Sequence, residues 1–125
     1  MTGPSSAQRT DKPWGYELLW ARTDAYVGKI LHVLAGHTLS LQFHRRKDEC
    51  MYLLSGEATL AIGPKPERFT LLPGQSFHIP AGVIHRLHAV TDVDLVEVST
   101  PELDDIVRLA DDYGRASVEH RDLIK

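Results

Sequence analysis

Short apolar runs, each closed by a glycine or a proline, set the rhythm of this chain. Residues 16–20, 26–34, 39–43, 51–54, 58–62, 68–72, 77–79, 84–90 and 95–99 are rich in β-branched, aromatic and leucine side chains and read as strands. Gly36, Gly56, Gly63-Pro64, Pro73-Gly74 and Pro80-Ala81-Gly82 punctuate them with turn-forming residues. Many short strands at near-regular spacing predict an all-β sandwich or barrel, not a βαβ fold. Residues 1–11 hold Ser, Thr, Gly and Pro with little to bury, and are expected to form a disordered tail. Lys12-Pro13-Trp14-Gly15 reads as a fixed turn into the first strand. After the last strand the period changes. Ile106, Leu109 and Ala110 fall at helical spacing, Asp104 and Asp105 suit a helix N-terminus, and Gly114 would stop it, so a short C-terminal helix is expected. The single domain is thus expected over residues 12–115, with residues 116–125 a C-terminal extension that packs on the barrel or frays.

Composition narrows the partners. A chain of 125 residues, 42% hydrophobic and 25% charged, builds one domain with a core. Its net charge of −3 and the lack of a basic cluster with interleaved aromatics argue against nucleic acid. No apolar run approaches the ~20 residues of a membrane span. The first residues lack the apolar centre of an export signal, so a cytoplasmic location is expected. Cys50 is the single cysteine; it excludes an intrachain disulfide, suits a reducing compartment, and reads as a small apolar filler in a strand.

The candidate chemistry lies in two segments. In the stretch from Gly36 to Gly56, Gln42 and His44 stand two apart and share one strand face. Glu49 follows the polar turn Arg45-Arg46-Lys47-Asp48, and an antiparallel hairpin would return it opposite His44. The segment from Gly74 to His85 adds a second imidazole, His85, behind the Pro80-Ala81-Gly82 turn. Two imidazoles, a carboxylate and an amide oxygen make a mixed nitrogen and oxygen site for one divalent ion, zinc ahead of manganese, iron, cobalt or nickel. No thiolate is at hand, which excludes a structural cysteine–zinc site.

The joint pattern Gly36…Gln42-x-His44…Glu49…Gly56 and Gly74…Pro80-x-Gly82…His85 resembles the two motifs of the cupin superfamily, with Gln42 where histidine is more frequent. Within it the chain resembles mannose-6-phosphate isomerases, in particular the C-terminal isomerase domain of bifunctional mannose-1-phosphate guanylyltransferase/mannose-6-phosphate isomerases. Lys12-Pro13-Trp14-Gly15, Leu39-Ser40-Leu41-Gln42-Phe43-His44, Asp104-Asp105-Ile106-Val107-Arg108 and Asp112-Tyr113-Gly114-Arg115 carry the likeness. The resemblance implies a cupin β-barrel (double-stranded β-helix, or jelly roll) with Gln42, His44, Glu49 and His85 as metal ligands. This sequence departs from the family pattern at Lys47, where an arginine associated with activity stands, at Met51 for tryptophan, and at Ala89 for asparagine. Lysine keeps the charge but loses the planar bidentate fork.

An aldose–ketose isomerase moves a proton between adjacent carbons through an enediolate, and needs a base and a phosphate handle. Candidate catalytic groups are Lys47, Glu97 (where the family also carries a Glu) and His78, should its face turn inward. Arg45, Arg46 and Arg108 are candidate substrate-binding groups, with Lys29 and Arg86 further cations; a solvated turn explains Arg45–Lys47 equally well. His88, three residues from His85, should point away from the site, and His32, His37 and His120 have no partner in the pattern. The leading expectation is a metal-dependent isomerase of mannose-6-phosphate type acting on a small sugar phosphate. The alternatives are a cupin epimerase, lyase or dioxygenase on another small polar substrate, or a non-catalytic sugar-binding module. A homodimer is expected through residues 16–20 as an exchanged or interfacial edge, with Trp14 and Trp20 close at hand.

Overall fold

A computed structural model describes residues 3–116. Their regular structure is entirely β: β1 (Gln8–Lys12), β2 (Gly15–Arg22), β3 (Val27–Val33), β4 (Leu41–Phe43), β5 (Glu49–Ser55) and β6 (Ala58–Ile62). The second half adds β7 (Glu67–Leu71), β8 (Ser76–Ile79), β9 (His85–Ala89), β10 (Val93–Ser99) and β11 (Val107–Ala110). They form two antiparallel sheets, ordered β1-β2-β3-β10-β5-β8 and β11-β4-β9-β6-β7, which face each other as the expected all-β sandwich.

Alternation places the core. In β5, Met51 and Leu53 point inward while Cys50, Tyr52 and Leu54 point out, and in β9 Leu87 and Ala89 point inward. With Trp14, Leu31, Val33, Val93 and Leu95 they make one apolar cluster between the sheets. Gly56, at φ 91°, turns the chain from β5 to β6 so tightly that a Cβ there would lie 2.1 Å from the Asp92 carbonyl oxygen.

Four expectations are corrected. Residues 8–11 belong to β1, paired with β2 in register from Gln8↔Leu19 to Lys12↔Gly15, and not to a disordered tail. Their polarity gave no strand signal, but their backbone groups extend the sheet. The C-terminal helix is absent: the chain makes short turns at residues 101–106 and then adds β11 to the edge of β4. The β-branched pair Ile106-Val107 favours extension, and β4 presents an open ladder that β11 completes. The hairpin between Phe43 and Glu49 does not form either, because β4 and β5 lie in different sheets. Finally, β2 is flanked by β1 and β3, so residues 16–20 are not an edge. Trp14 is 6% exposed and packs in the core, whereas Trp20, 48% exposed, lies over Gly28 on the outer face. The expectation for residues 116–125 falls, beyond Ala116, outside the described residues, as does His120.

Candidate metal and substrate site

Along several strands the inward positions change from apolar to polar. β5 runs Leu53, Met51, Glu49; β9 runs Ala89, Leu87, His85; β10 runs Leu95, Glu97, Ser99. Their polar ends gather at one end of the sandwich, where Glu49 and Glu97 line a cavity of about 450 Å³. Buried polar groups are costly unless they are paired or have a ligand to bind.

Gln42 and His85 stand directly opposite each other in the β4–β9 ladder, and His44 follows the end of β4. Glu49 reaches them from the other sheet. Its Oε1 lies 3.3 Å from His44 Nε2 and 3.4 Å from His85 Nε2, and donor atoms of the three residues lie within 4.8 Å of one another. The imidazoles are oriented from behind. His44 Nδ1 meets the Asp105 carbonyl oxygen at 2.5 Å, and His85 Nδ1 meets that of Val83 at 2.9 Å. A carbonyl only accepts, so each Nδ1 carries its proton and each Nε2 turns a lone pair towards Glu49. Buried His44 Nε2 and Glu49 Oε1 have no hydrogen-bond partner among the described residues. Lone pairs converging on a carboxylate fit a cation, and this buried group could hold a metal ion. Gln42 has its Nε2 3.3 Å from His85 Nε2, while its Oε1 accepts from Ser40 Oγ at 2.7 Å. A 180° turn of the amide exchanges these roles and offers the oxygen to the site.

Behind Glu49 sits a second layer. Lys47 is buried, its Nζ 3.1 Å from Glu49 Oε2 and 3.7 Å from Glu97 Oε2. Burial works against the ammonium, yet Glu97 and Glu49 hold it above its ordinary range. Glu97, 4% exposed, is paired in the ladders with Met51 and Lys29. Burial and then the charge of Glu49 push its carboxyl up to about 7, with Lys47 acting in the opposite direction. Glu49 itself is held below the carboxylate range in spite of burial, with the Lys47 ammonium beside it.

The turn that carries Lys47 is shaped by a distant residue. The Asp105 carboxylate accepts from the backbone N–H groups of Arg45 at 2.9 Å, Arg46 at 2.7 Å and Lys47 at 2.9 Å. Desolvation raises the Asp105 carboxyl, but these three donors bring it down to about 2. Across the turn, Gly82 N–H donates to the His44 carbonyl at 2.7 Å, with Gly82 at φ 84°. That bond ties the second motif to the first.

The other candidates separate clearly. Arg108 lines the cavity and pairs with Gln42 across the β11–β4 ladder. Arg45 and Arg46 are exposed and do not line it. His78 points outward, 2.5 Å from Asp48 on the exposed face, so it is removed as a candidate base: β8 pairs with β5 so that His78 stands opposite outward-facing Cys50. Arg86 binds the Leu39 carbonyl and Asp112 away from the cavity. His88 points away from His85 and bonds Thr38, as alternation required. His32 pairs with Asp94 and His37 with Tyr113. Sequence reasoning missed Asp105, Glu17 and Lys12. Lys12 and Asp105 lay inside segments that carry the family likeness, and Glu17 is an acid on the same strand face as Leu19.

The family described as mannose-6-phosphate isomerase C-terminal matches residues 5–111. The chain belongs to this family. It is 37% identical over 109 residues to xanthan biosynthesis protein XanB of Xanthomonas campestris, covering 83% of this chain and 23% of that protein. It is 36% identical over 110 residues to mannose-1-phosphate guanylyltransferase of Escherichia coli K12, covering 83% and 22%. The chain thus spans about a quarter of the length of the curated relatives it matches. Among solved structures it superposes on KdgF from Halomonas sp. with a TM-score of 0.71 at 21% identity, covering 78% of this chain and 90% of that one. An RmlC-like cupin from Shewanella frigidimarina gives 0.71 at 18% identity, over 78% and 86%. The fold of this isomerase-family domain is a cupin barrel. Among the described residues no helix is long and apolar enough to cross a membrane.

Proposed function

We propose that this cupin domain is a metal-dependent sugar-phosphate isomerase of mannose-6-phosphate type, with Glu97 as the group that moves the proton. One observation carries the reading. A buried carboxyl whose proton affinity is raised into the neutral range sits on the cavity wall, one residue layer behind the converging His44, Glu49 and His85. A base works best when its pKa lies near the working pH.

A divalent cation held by Gln42, His44, Glu49 and His85 would supply Lewis-acid stabilisation of oxygen charge there. The chain's own groups do the rest. Glu97 takes the proton from the hydroxyl-bearing carbon, the C–H electron pair becomes the double bond of an enediolate, and Glu97 returns the proton to the neighbouring carbon. A second proton passes between the two oxygens, so the sugar is neither oxidised nor reduced overall. Lys47 holds Glu97 and Glu49 in place and keeps their combined charge tolerable in a dry site. The family's arginine is replaced here by an ammonium engaged with two carboxylates, which favours one further reading: a module that binds a sugar without converting it.

Metal-loaded protein given mannose 6-phosphate should form fructose 6-phosphate, and Glu97→Gln should lower kcat by about 10²-fold or more with the metal content unchanged. Binding without conversion by the wild type, with each of several divalent metals, would establish the binding module and reject the isomerase.

We place the activity in the cytoplasm and in a homodimer. The outer face of the first sheet carries Leu18, Ile30, Val96 and Tyr52 in one cross-strand row, with Trp20, Val98 and Leu54 beside it. Four strands at about 4.8 Å and two outward rows give an apolar patch of roughly 300 Å². That suits the centre of an interface burying about 800 Å² per partner.

A further inference from the structure

The inner wall of the first sheet carries further charge on the strands beyond Glu97. Glu17 on β2 and Lys29 on β3 face the same cavity as Glu49 and Glu97, and Lys12 at the end of β1 joins them. Lys29 Nζ lies 2.9 Å from Glu17 Oε2, and Lys12 Nζ lies 3.3 Å from Glu17 Oε1. The three side chains are only 15%, 28% and 13% exposed for Lys29, Lys12 and Glu17. Two ammonium groups share this one carboxylate, with Glu97 opposite Lys29 across the β3–β10 ladder. Each ammonium has three N–H donors, and among the described residues each has a single ion-pair partner, Glu17. An inward strand position this shielded from water is a poor place for ammonium donors without partners unless a ligand completes them.

The cavity is therefore polarised. Its far end, with Glu49, Glu97 and Lys47, suits a cation; its near end, with Lys12, Glu17 and Lys29, suits an anion. We propose that Lys12 and Lys29, held apart by Glu17, form an anion subsite that takes the terminal phosphate of a phosphorylated sugar. The identity of the ligand rests on the isomerase reading; the anion site itself does not. The spacing supports it. β10, which carries Glu97, and β2, whose Glu17 gathers both ammonium groups, are separated by β3 alone, two strand spacings or about 10 Å. A six-carbon sugar extends roughly 8 Å from its first carbon to a terminal phosphorus, from ordinary bond lengths. A sugar whose first two carbons lie beside Glu97 thus brings its phosphate to the ammonium groups. Glu17 has a use in this arrangement: it aims both lysines inward, and against its own desolvation it is held below the usual carboxyl range by Lys29 and Lys12.

The test is calorimetric binding to the metal-loaded full chain, with mannose 6-phosphate, mannose and inorganic phosphate as probes and metal content measured on each sample. Wild type should bind mannose 6-phosphate at least about 10-fold more tightly than mannose, the scale of one or two charge-assisted hydrogen bonds. Lys29→Gln should weaken mannose 6-phosphate about 10-fold and Lys12→Gln several-fold, leaving mannose unchanged. Lys29→Arg should recover most of the loss. Should Lys29→Gln fail to fold, Lys12→Gln and Lys29→Arg carry the test. Equal binding of mannose and its phosphate by the wild type, or lysine variants within two-fold of wild type with metal intact, overturns the subsite. A wild type that binds the phosphate through Lys29 but converts nothing leaves the subsite standing and removes the isomerase reading. A wild type that turns over with an unchanged KM in Lys29→Gln does the reverse.

Discussion

Asp105 gives the sharpest test of how the site is held. Its carboxylate accepts three backbone N–H groups in succession, from Arg45, Arg46 and Lys47, at 2.7 to 2.9 Å. Hydrogen bonds to a charged acceptor contribute about 1.5–3 kcal/mol each when sheltered. Summing three such bonds overstates the case, because Arg45 and Arg46 are exposed and water takes over when the carboxylate is lost. Only the Lys47 N–H is partly buried. At about 1 kcal/mol net per bond, Asp105→Ala should cost about 2–3 kcal/mol, and Asp105→Asn, which keeps one acceptor oxygen, about 1–2 kcal/mol. The His44 Nδ1 bond goes to the Asp105 backbone carbonyl and survives both substitutions. Metal affinity should therefore fall only as far as the loosened turn lets Lys47 and Glu49 drift, about 10-fold.

Urea unfolding of the metal-free protein at pH 7 reads the first quantity, and metal titration reads the second. The pH dependence follows from the depressed carboxyl. Asp105 sits at about 2 when folded against roughly 3.9 in the unfolded chain. Its contribution is whole above about pH 4 and is lost as pH falls towards 2, so wild type and Asp105→Ala should converge in acid and separate above pH 4. An Asp105→Ala protein within about 0.5 kcal/mol of wild type at pH 7, with no convergence in acid, refutes the account of this turn.

Two other outcomes follow from the same geometry. Glu49→Gln should lower affinity for divalent metal by more than about 100-fold, because the amide removes the charge on which both imidazoles converge; the loss of metal-dependent thermal stabilisation, about 2.7 kcal/mol at a hundredfold excess over Kd, provides the measurement. On the outer face, Val98→Asp should convert a sedimenting dimer into a single chain while leaving the fold intact by circular dichroism; a wild type that sediments as a monomer at micromolar concentration refutes the dimer.

What could be read in advance, and what could not, divides along the range of the interaction. Gln42, His44 and the inward row of β5 obey a period of two, a property of the single strand, and so they were legible in the letters. His85 was legible because a turn residue, Gly82, fixes where β9 starts. The partner of each strand was not. β4 and β5 are neighbours in sequence yet belong to different sheets, and the mistaken hairpin still placed Glu49 beside His44, because the true path across the sandwich also brings the two together. β11 read as a helix since its apolar spacing fits either period, and pairing with β4 decided the matter. Lys47 shows the limit most clearly. It lies in a row of three cations that by composition is a solvated turn, and Arg45 and Arg46 are indeed exposed. Lys47 alone goes inward, because Asp105, 58 positions away, fixes the backbone of that turn while Glu49 and Glu97 supply the opposite charge. The inward lysine and the raised Glu97 carboxyl are then two sides of one fact: a second carboxylate near Glu49 is tolerable in this site only with a cation between them or a proton on one of them. A lysine, unlike an arginine, can carry that charge as a point without a planar fork, so substitution at position 47 preserves the electrostatics of the site while altering what it can grip.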